Sequence, residues 1–211
     1  MRDFPHKKNA SVSRYSIVVV GTSLGGLNAL QVLLSGLPKD FPVPVAIVQH
    51  RHKSSDESLS VFLQQYCALS VNEAEDKEAI LPGHVYLAPA NYHLLVDDSH
   101  FALSTEAPVC YARPSINVLF ESAAEAYGER ALGIILTGAS NDGSQGSLQL
   151  KAHNGMVVIQ EPTTAECSIM PRAAINALRQ HYPNVAVPVD WILPLSDIAP
   201  LLVNLCQPVL R

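Results

Sequence analysis

Apolar residues arrive along this chain in short, nearly unbroken runs, each followed by a stretch with a single apolar face. Ile17-Val18-Val19-Val20 runs into Gly21, and Leu27, Leu30, Leu33, Leu34 and Leu37 follow at helical spacing. A β-branched run without polar alternation predicts a strand covered on both faces, and the leucine spacing predicts an amphipathic helix. Leu37-Pro38 ends that helix. Val43 to Gln49 reads as the next strand, with Pro44 tolerated at its start. Ser54 and Glu57 stand in capping-box spacing, and Leu59, Phe62, Leu63 and Tyr66 mark the face of a second helix. Val71 to Ala79 is polar and acidic, and reads as a strand end and surface loop.

The pattern tightens in the middle of the chain. His84–Ala88, His93–Val96 and Phe101–Ser104 are short strand signals, separated by Pro89-Ala90-Asn91 and Asp97-Asp98-Ser99-His100. Such spacing predicts an antiparallel hairpin or meander inserted beside the main sheet. Arg113-Pro114-Ser115 then opens a helix containing Ile116, Leu119, Phe120, Ala123 and Tyr127, which Gly128 closes. Ala131–Leu136 is a wholly apolar strand. A helix runs on to about His153, with Asn154-Gly155 as its C-cap. Met156–Ile159 is a strand, Pro171 begins a helix, Val185–Val189 is a strand, and a helix from about Asp197 to Leu205 completes the pattern. Alternating strands and helices predict an α/β fold: a parallel sheet with helices on both sides.

Composition narrows the picture. At 211 residues the chain suits a single domain, expected over residues 15–211 after a polar lead-in at residues 1–14. Charged residues make up 16%, well under the usual quarter or so, which fits a sheet buried on both faces. A net charge of −5 argues against a general nucleic-acid binder. No window reaches membrane-spanning length, and no hydrophobic signal core follows the N-terminus, so a cytoplasmic protein without membrane insertion is expected. The four cysteines are widely spaced and read as reduced, packing thiols.

Chemistry concentrates in the loops that follow the buried strands. Gly21-Thr22-Ser23-Leu24-Gly25 fits the G-x-S-x-G turn that exposes a nucleophilic serine. It is also a poor dinucleotide fingerprint, with serine at the middle glycine, and it could be a plain strand–helix connection. His50 follows the second strand and Asp142 follows the strand from Ala131. If those strands are neighbours, serine, histidine and aspartate share one sheet edge, as acyl transfer requires. Taken singly, Ser23 or Asp142 could be a helix cap and His50 an ordinary loop histidine. His50 and His52 have metal-ligand spacing, but no cysteine or carboxylate cluster completes a site. His84, His93, His100 and His153 read as structural.

Several separated motifs together resemble the catalytic domain of the chemotaxis-type protein-glutamate methylesterases, the CheB family. They are Gly21-Thr22-Ser23-Leu24-Gly25-Gly26, Gln49-His50, Leu87-Ala88-Pro89, His93-Leu94, Arg113-Pro114-Ser115, Leu136-Thr137-Gly138, Asn141-Asp142-Gly143 and Met170-Pro171-Arg172. The resemblance spans roughly Ile17 to Leu205. It implies a three-layer, doubly wound, mostly parallel sheet and a serine hydrolase that demethylates glutamate γ-methyl esters, with glutamine deamidation as a second activity. It assigns Ser23, His50 and Asp142 as nucleophile, base and acid, with backbone N–H groups near Leu24 and Ala139 for the oxyanion. No metal or organic cofactor is implied. The implied partner is the methylated cytoplasmic helical region of a chemoreceptor-like protein. Many members carry a receiver domain that this sequence lacks, so phosphorylation control through such a domain is expected to be absent, unless the domain was removed or sits on another protein. A separate regulatory protein is a candidate further partner. Leu24, Ala139 and Asn117 stand where threonine, methionine and aspartate are usual, departures that bear on substrate and rate. The rival readings are a catalytically idle receptor- or regulator-binding module and a nucleotide-binding domain.

Overall fold

Side chains alternate across β1 (Ile17–Thr22), and both sides are buried: Val18 and Val20 enter one apolar core, Ile17 and Val19 the other. A strand with no solvent face needs cover above and below, which the helices supply. The computed structural model describes residues 13–56, 58–184 and 189–208.

After β1 come α1 (Gly26–Ser35), β2 (Val45–Gln49), α2 (Ser58–Gln64), β3 (Ser70–Glu73) and β4 (His84–Leu87). Then follow β5 (His93–Asp97), β6 (His100–Ser104), α3 (Ile116–Tyr127), β7 (Ala131–Ile135) and α4 (Ser144–Ala152). The chain ends through β8 (Met156–Gln160), α5 (Ile169–His181), β9 (Trp191–Leu193) and α6 (Leu195–Leu205). Seven strands form one parallel sheet in the order β3-β4-β2-β1-β7-β8-β9, and β5 pairs with β6 in an antiparallel hairpin. Leu30, Leu33 and Leu34 of α1, Leu63 of α2 and Ile198 and Leu202 of α6 fill one core. Ile116 and Phe120 of α3, Leu150 of α4 and Met170 and Leu178 of α5 fill the other, with Leu94 and Phe101 of the hairpin. The doubly wound, three-layer expectation holds.

Several details differ from the pattern reading. β4 does not join a meander with the hairpin; it enters the main sheet between β2 and β3. One parallel partner, β3, directly precedes it in the chain, but the other, β2, pairs Val45 with Val85, beyond the reach of local spacing. Leu27 is exposed, and Leu37 is buried but lies past the end of α1. Ser54 bonds to His52, while Asp56 accepts the Ser58 N–H at the start of α2. Glu57, the other half of the supposed capping box, lies outside the described residues, as do residues 1–12 and most of the expected strand 185–189. The strand that does pair there is β9, whose first two residues are exposed. Cys67, Cys110, Cys167 and Cys206 are free thiols, and burial pushes the Cys206 thiol up to about 12. Among the described residues, no helix is long and apolar enough to cross a membrane.

Candidate active site

β1 is the point where the winding reverses: β2 lies on one side of it and β7 on the other. Loops at the carboxyl ends of such strands open a crevice. Ser23 follows β1, His50 follows β2, and Asp142 lies in the loop between β7 and α4. His50 Nε2 and Asp142 Oδ2 are 2.8 Å apart. Ser23 and His50 line one cleft of about 600 Å³, together with Leu24, Asn28, Gln49 and Glu166. No hydrogen bond engages the Ser23 hydroxyl among the described residues. The structure thus brings histidine and aspartate into contact and leaves the serine on the same cleft wall.

Asp142 is fully buried. Besides His50, its carboxylate accepts hydrogen bonds from Ser115 Oγ (2.9 Å) and the backbone N–H groups of Ile116 (2.7 Å), Asn117 (3.0 Å) and Gly143 (3.0 Å). The N-cap residue of α3, Ser115, makes no side-chain cap of its own. Asp142 therefore caps α3 from another loop, not α4, where Gly143 is the N-cap. The orphan amides and positive end of a helix favour a carboxylate at that spot. Burial alone would raise the Asp142 pKa, yet the hydrogen bonds from His50, Asn117 and Ile116 outweigh it and hold the pKa below the usual value. An ionised carboxylate only accepts, so the His50 nitrogen facing it carries the proton. Nδ1 is left as the basic nitrogen.

Burial first, and then the Asp142 charge, raise the pKa of the Cys110 thiol. Burial, with Glu125 and Asp142 behind it, also raises that of Glu121 on α3. The α3 terminus approaches β1 so closely that a Cβ on Gly21 would lie 2.3 Å from Ile116 Cγ2. Only glycine allows this contact. Gly25, the N-cap of α1, has φ 79°, so its turn also favours glycine, and Ser23 does not cap the helix.

Thr137 ties the loops together. Its hydroxyl donates to Leu24 O at 2.9 Å and accepts the Cys167 N–H at 2.8 Å. Its carbonyl accepts the Ser23 N–H and the Thr22 hydroxyl. Gln49 Nε2 donates to Ser23 O and to His50 O, bridging the β1 and β2 loops. With the Ser23 and Gly138 amides engaged, those of Leu24 and Ala139 have no partner among the described residues. Pattern reading gave Thr137 and Gln49 no role, although Gln49 ends β2 and Thr137 stands two residues past β7. His52 Nδ1 bonds to Ser54 Oγ, and no group suited to a metal occurs among the described residues. His93 is a structural brace: its Nδ1 accepts the Ser115 N–H and its Nε2 meets Ala107 O.

The CheB methylesterase family model matches residues 18–202. A Leptospira interrogans protein, named as a candidate protein-glutamate methylesterase/protein-glutamine glutaminase, is 44% identical over 194 residues, 92% of this chain and 96% of that protein. Protein-glutamate methylesterase/protein-glutamine glutaminase 2 of Anaeromyxobacter dehalogenans is 38% identical over 90% of this chain and 53% of its own length. The chain therefore spans about half of that longer relative. The crystal structure of the Thermotoga maritima CheB methylesterase catalytic domain superposes with a TM-score of 0.82 at 33% identity, covering 90% of this chain and 98% of that one.

Proposed function

The chain belongs to the CheB methylesterase family, and we propose that it hydrolyses glutamate γ-methyl esters on chemoreceptor-like proteins, with Ser23 as nucleophile. The observation that carries this reading is the pairing of half-buried His50 with buried Asp142, with Ser23 on the cleft that His50 lines. Ser23 Oγ attacks the ester carbonyl carbon while His50 Nδ1 takes its proton. Asp142 fixes the tautomer and stabilises the imidazolium. The free amides of Leu24 and Ala139 receive the oxyanion. Collapse breaks the C–O bond, and His50 returns its proton to the departing methanol. Water, deprotonated by His50, then hydrolyses the acyl-enzyme and frees the glutamate carboxylate. The same attack on a glutamine carboxamide would expel ammonia, which extends the reading to deamidation.

The reading places residues 15–211 in one cytoplasmic catalytic unit acting on the methylated helical region of a receptor, without a metal or organic cofactor. Methanol release from a methylated receptor tests it. Ser23→Ala is expected to abolish release while the protein stays folded, and a serine-directed phosphonate is expected to label Ser23. A folded protein that neither releases methanol nor takes the label would be a binding module instead.

A further inference from the structure

His50 stands between two clefts. One holds Ser23. The other, of about 430 Å³, is lined by His50 together with Arg51, His52, Lys53, Asn91, Tyr111 and Arg113, and no aspartate or glutamate contributes to its wall. A cationic cleft on a chain of net charge −5 is a local contrast. Its charges are not equally available. The Arg51 side chain is largely covered and paired with Glu73, so its charge is neutralised locally. Lys53 is exposed and has no ion pair among the described residues.

Arg113 is fixed but not neutralised. Its Nε and Nη2 donate to Asn91 Oδ1, and its Nη1 donates to the backbone carbonyls of Thr105 and Glu106. Every one of these acceptors is uncharged. They hold the guanidinium still and leave one Nη2 hydrogen free, which is how a protein pre-organises an anion contact. Tyr111 stands at the rim, fully exposed, with φ 63° in a turn closed by paired hydrogen bonds between Val109 and Ala112. It is covered by nothing among the described residues.

We propose that this cleft is an anion subsite that recognises an unmodified carboxylate on the substrate polypeptide, close to the methylated glutamate. The proposal rests on the methylesterase reading of Ser23 and His50. Its physical logic is that a methyl ester carries no charge, so the Ser23 cleft cannot select its target by charge. A neighbouring glutamate or aspartate can be selected by the fixed Arg113 and the exposed Lys53, with Tyr111 against the intervening chain. Complementary charge also raises the rate of encounter.

Two synthetic peptides test this. Each carries one glutamate γ-methyl ester, flanked by glutamates in one and by glutamines in the other. At low salt, kcat/KM on the acidic peptide is expected to exceed that on the neutral one by about tenfold, mainly through KM, and to approach parity at about 0.5 M salt. Arg113→Gln is expected to remove most of the preference, Arg113→Lys to restore part of it, and Lys53→Glu to reverse it. If Arg113→Gln does not fold, the exposed Lys53→Glu decides. Equal wild-type kcat/KM for the two peptides, or a preference that survives Lys53→Glu, overturns the subsite alone. If neither peptide is cleaved while a small activated ester is, the methylesterase reading fails and the subsite fails with it.

Discussion

Ile116 donates its backbone N–H to Asp142 Oδ2 at 2.7 Å, the same oxygen that meets His50 Nε2 at 2.8 Å. One oxygen thus caps a helix and orients an imidazole. Position 142 should therefore be sensitive in folding as well as in turnover.

Asp142→Asn is expected to lower turnover by roughly 10⁴, as the equivalent change does in a serine protease. It is also expected to destabilise the fold by about 3 kcal/mol. All five of the carboxylate's partners are donors. An amide NH₂ must face at least one of them. Methanol release and urea denaturation measure the two effects. Near-normal rates would mean that another carboxylate orients His50, and unchanged stability would mean that the cap is dispensable.

Acid should expose the same linkage. The folded pKa of Asp142 lies below its ordinary value. Its stabilising contribution is then fully present above the unfolded pKa of about 3.9 and is lost as pH falls through the folded value. The wild-type urea midpoint is expected to drop more steeply below about pH 4 than that of Asp142→Asn. Parallel curves for the two proteins would count against the cap.

Thr137→Val keeps the shape and removes the hydroxyl. The Cys167 N–H then loses its acceptor and Leu24 O loses a donor. A cost of about 1–3 kcal/mol is expected, with a fall in kcat because the Ser23 loop loosens. A stability loss with full kcat would show that the Leu24 tether does not position the serine loop.

Ala139 has an exposed side chain and an amide without a partner among the described residues. If that position contributes only its amide to catalysis, Ala139→Met should change kcat by less than about tenfold, under about 1.4 kcal/mol of barrier. A much larger gain would assign the side chain a part in transition-state binding.

The parts of the molecule legible in the sequence were those whose signal is local. Ile17–Val20 and Ala131–Leu136 announce buried strands because no polar residue interrupts them, and the loops after them are then predictable places for Ser23 and Asp142. What escaped was set by partners distant in the chain. β4 looks like the neighbour of β5, yet it lies between β3, the strand before it, and the far more distant β2. β9 has three residues and no alternation to betray it. Asp142 stands directly before a glycine and a helix, the usual context for capping that helix, but its carboxylate serves α3 instead. No spacing rule discloses which nitrogen of His50 faces that carboxylate, because the answer depends on how β2 and β7 flank β1.

The unequal anchoring of Ser23 and Asp142 sets the route by which such a protein could lose its chemistry over evolutionary time. Among the described residues the serine hydroxyl holds nothing together, so its replacement by alanine would leave the scaffold whole. The aspartate secures a helix and would be retained for folding alone. A lineage drifting toward a pseudoenzyme is therefore expected to discard position 23 first, and to carry a vestigial aspartate–histidine pair long after hydrolysis has ceased.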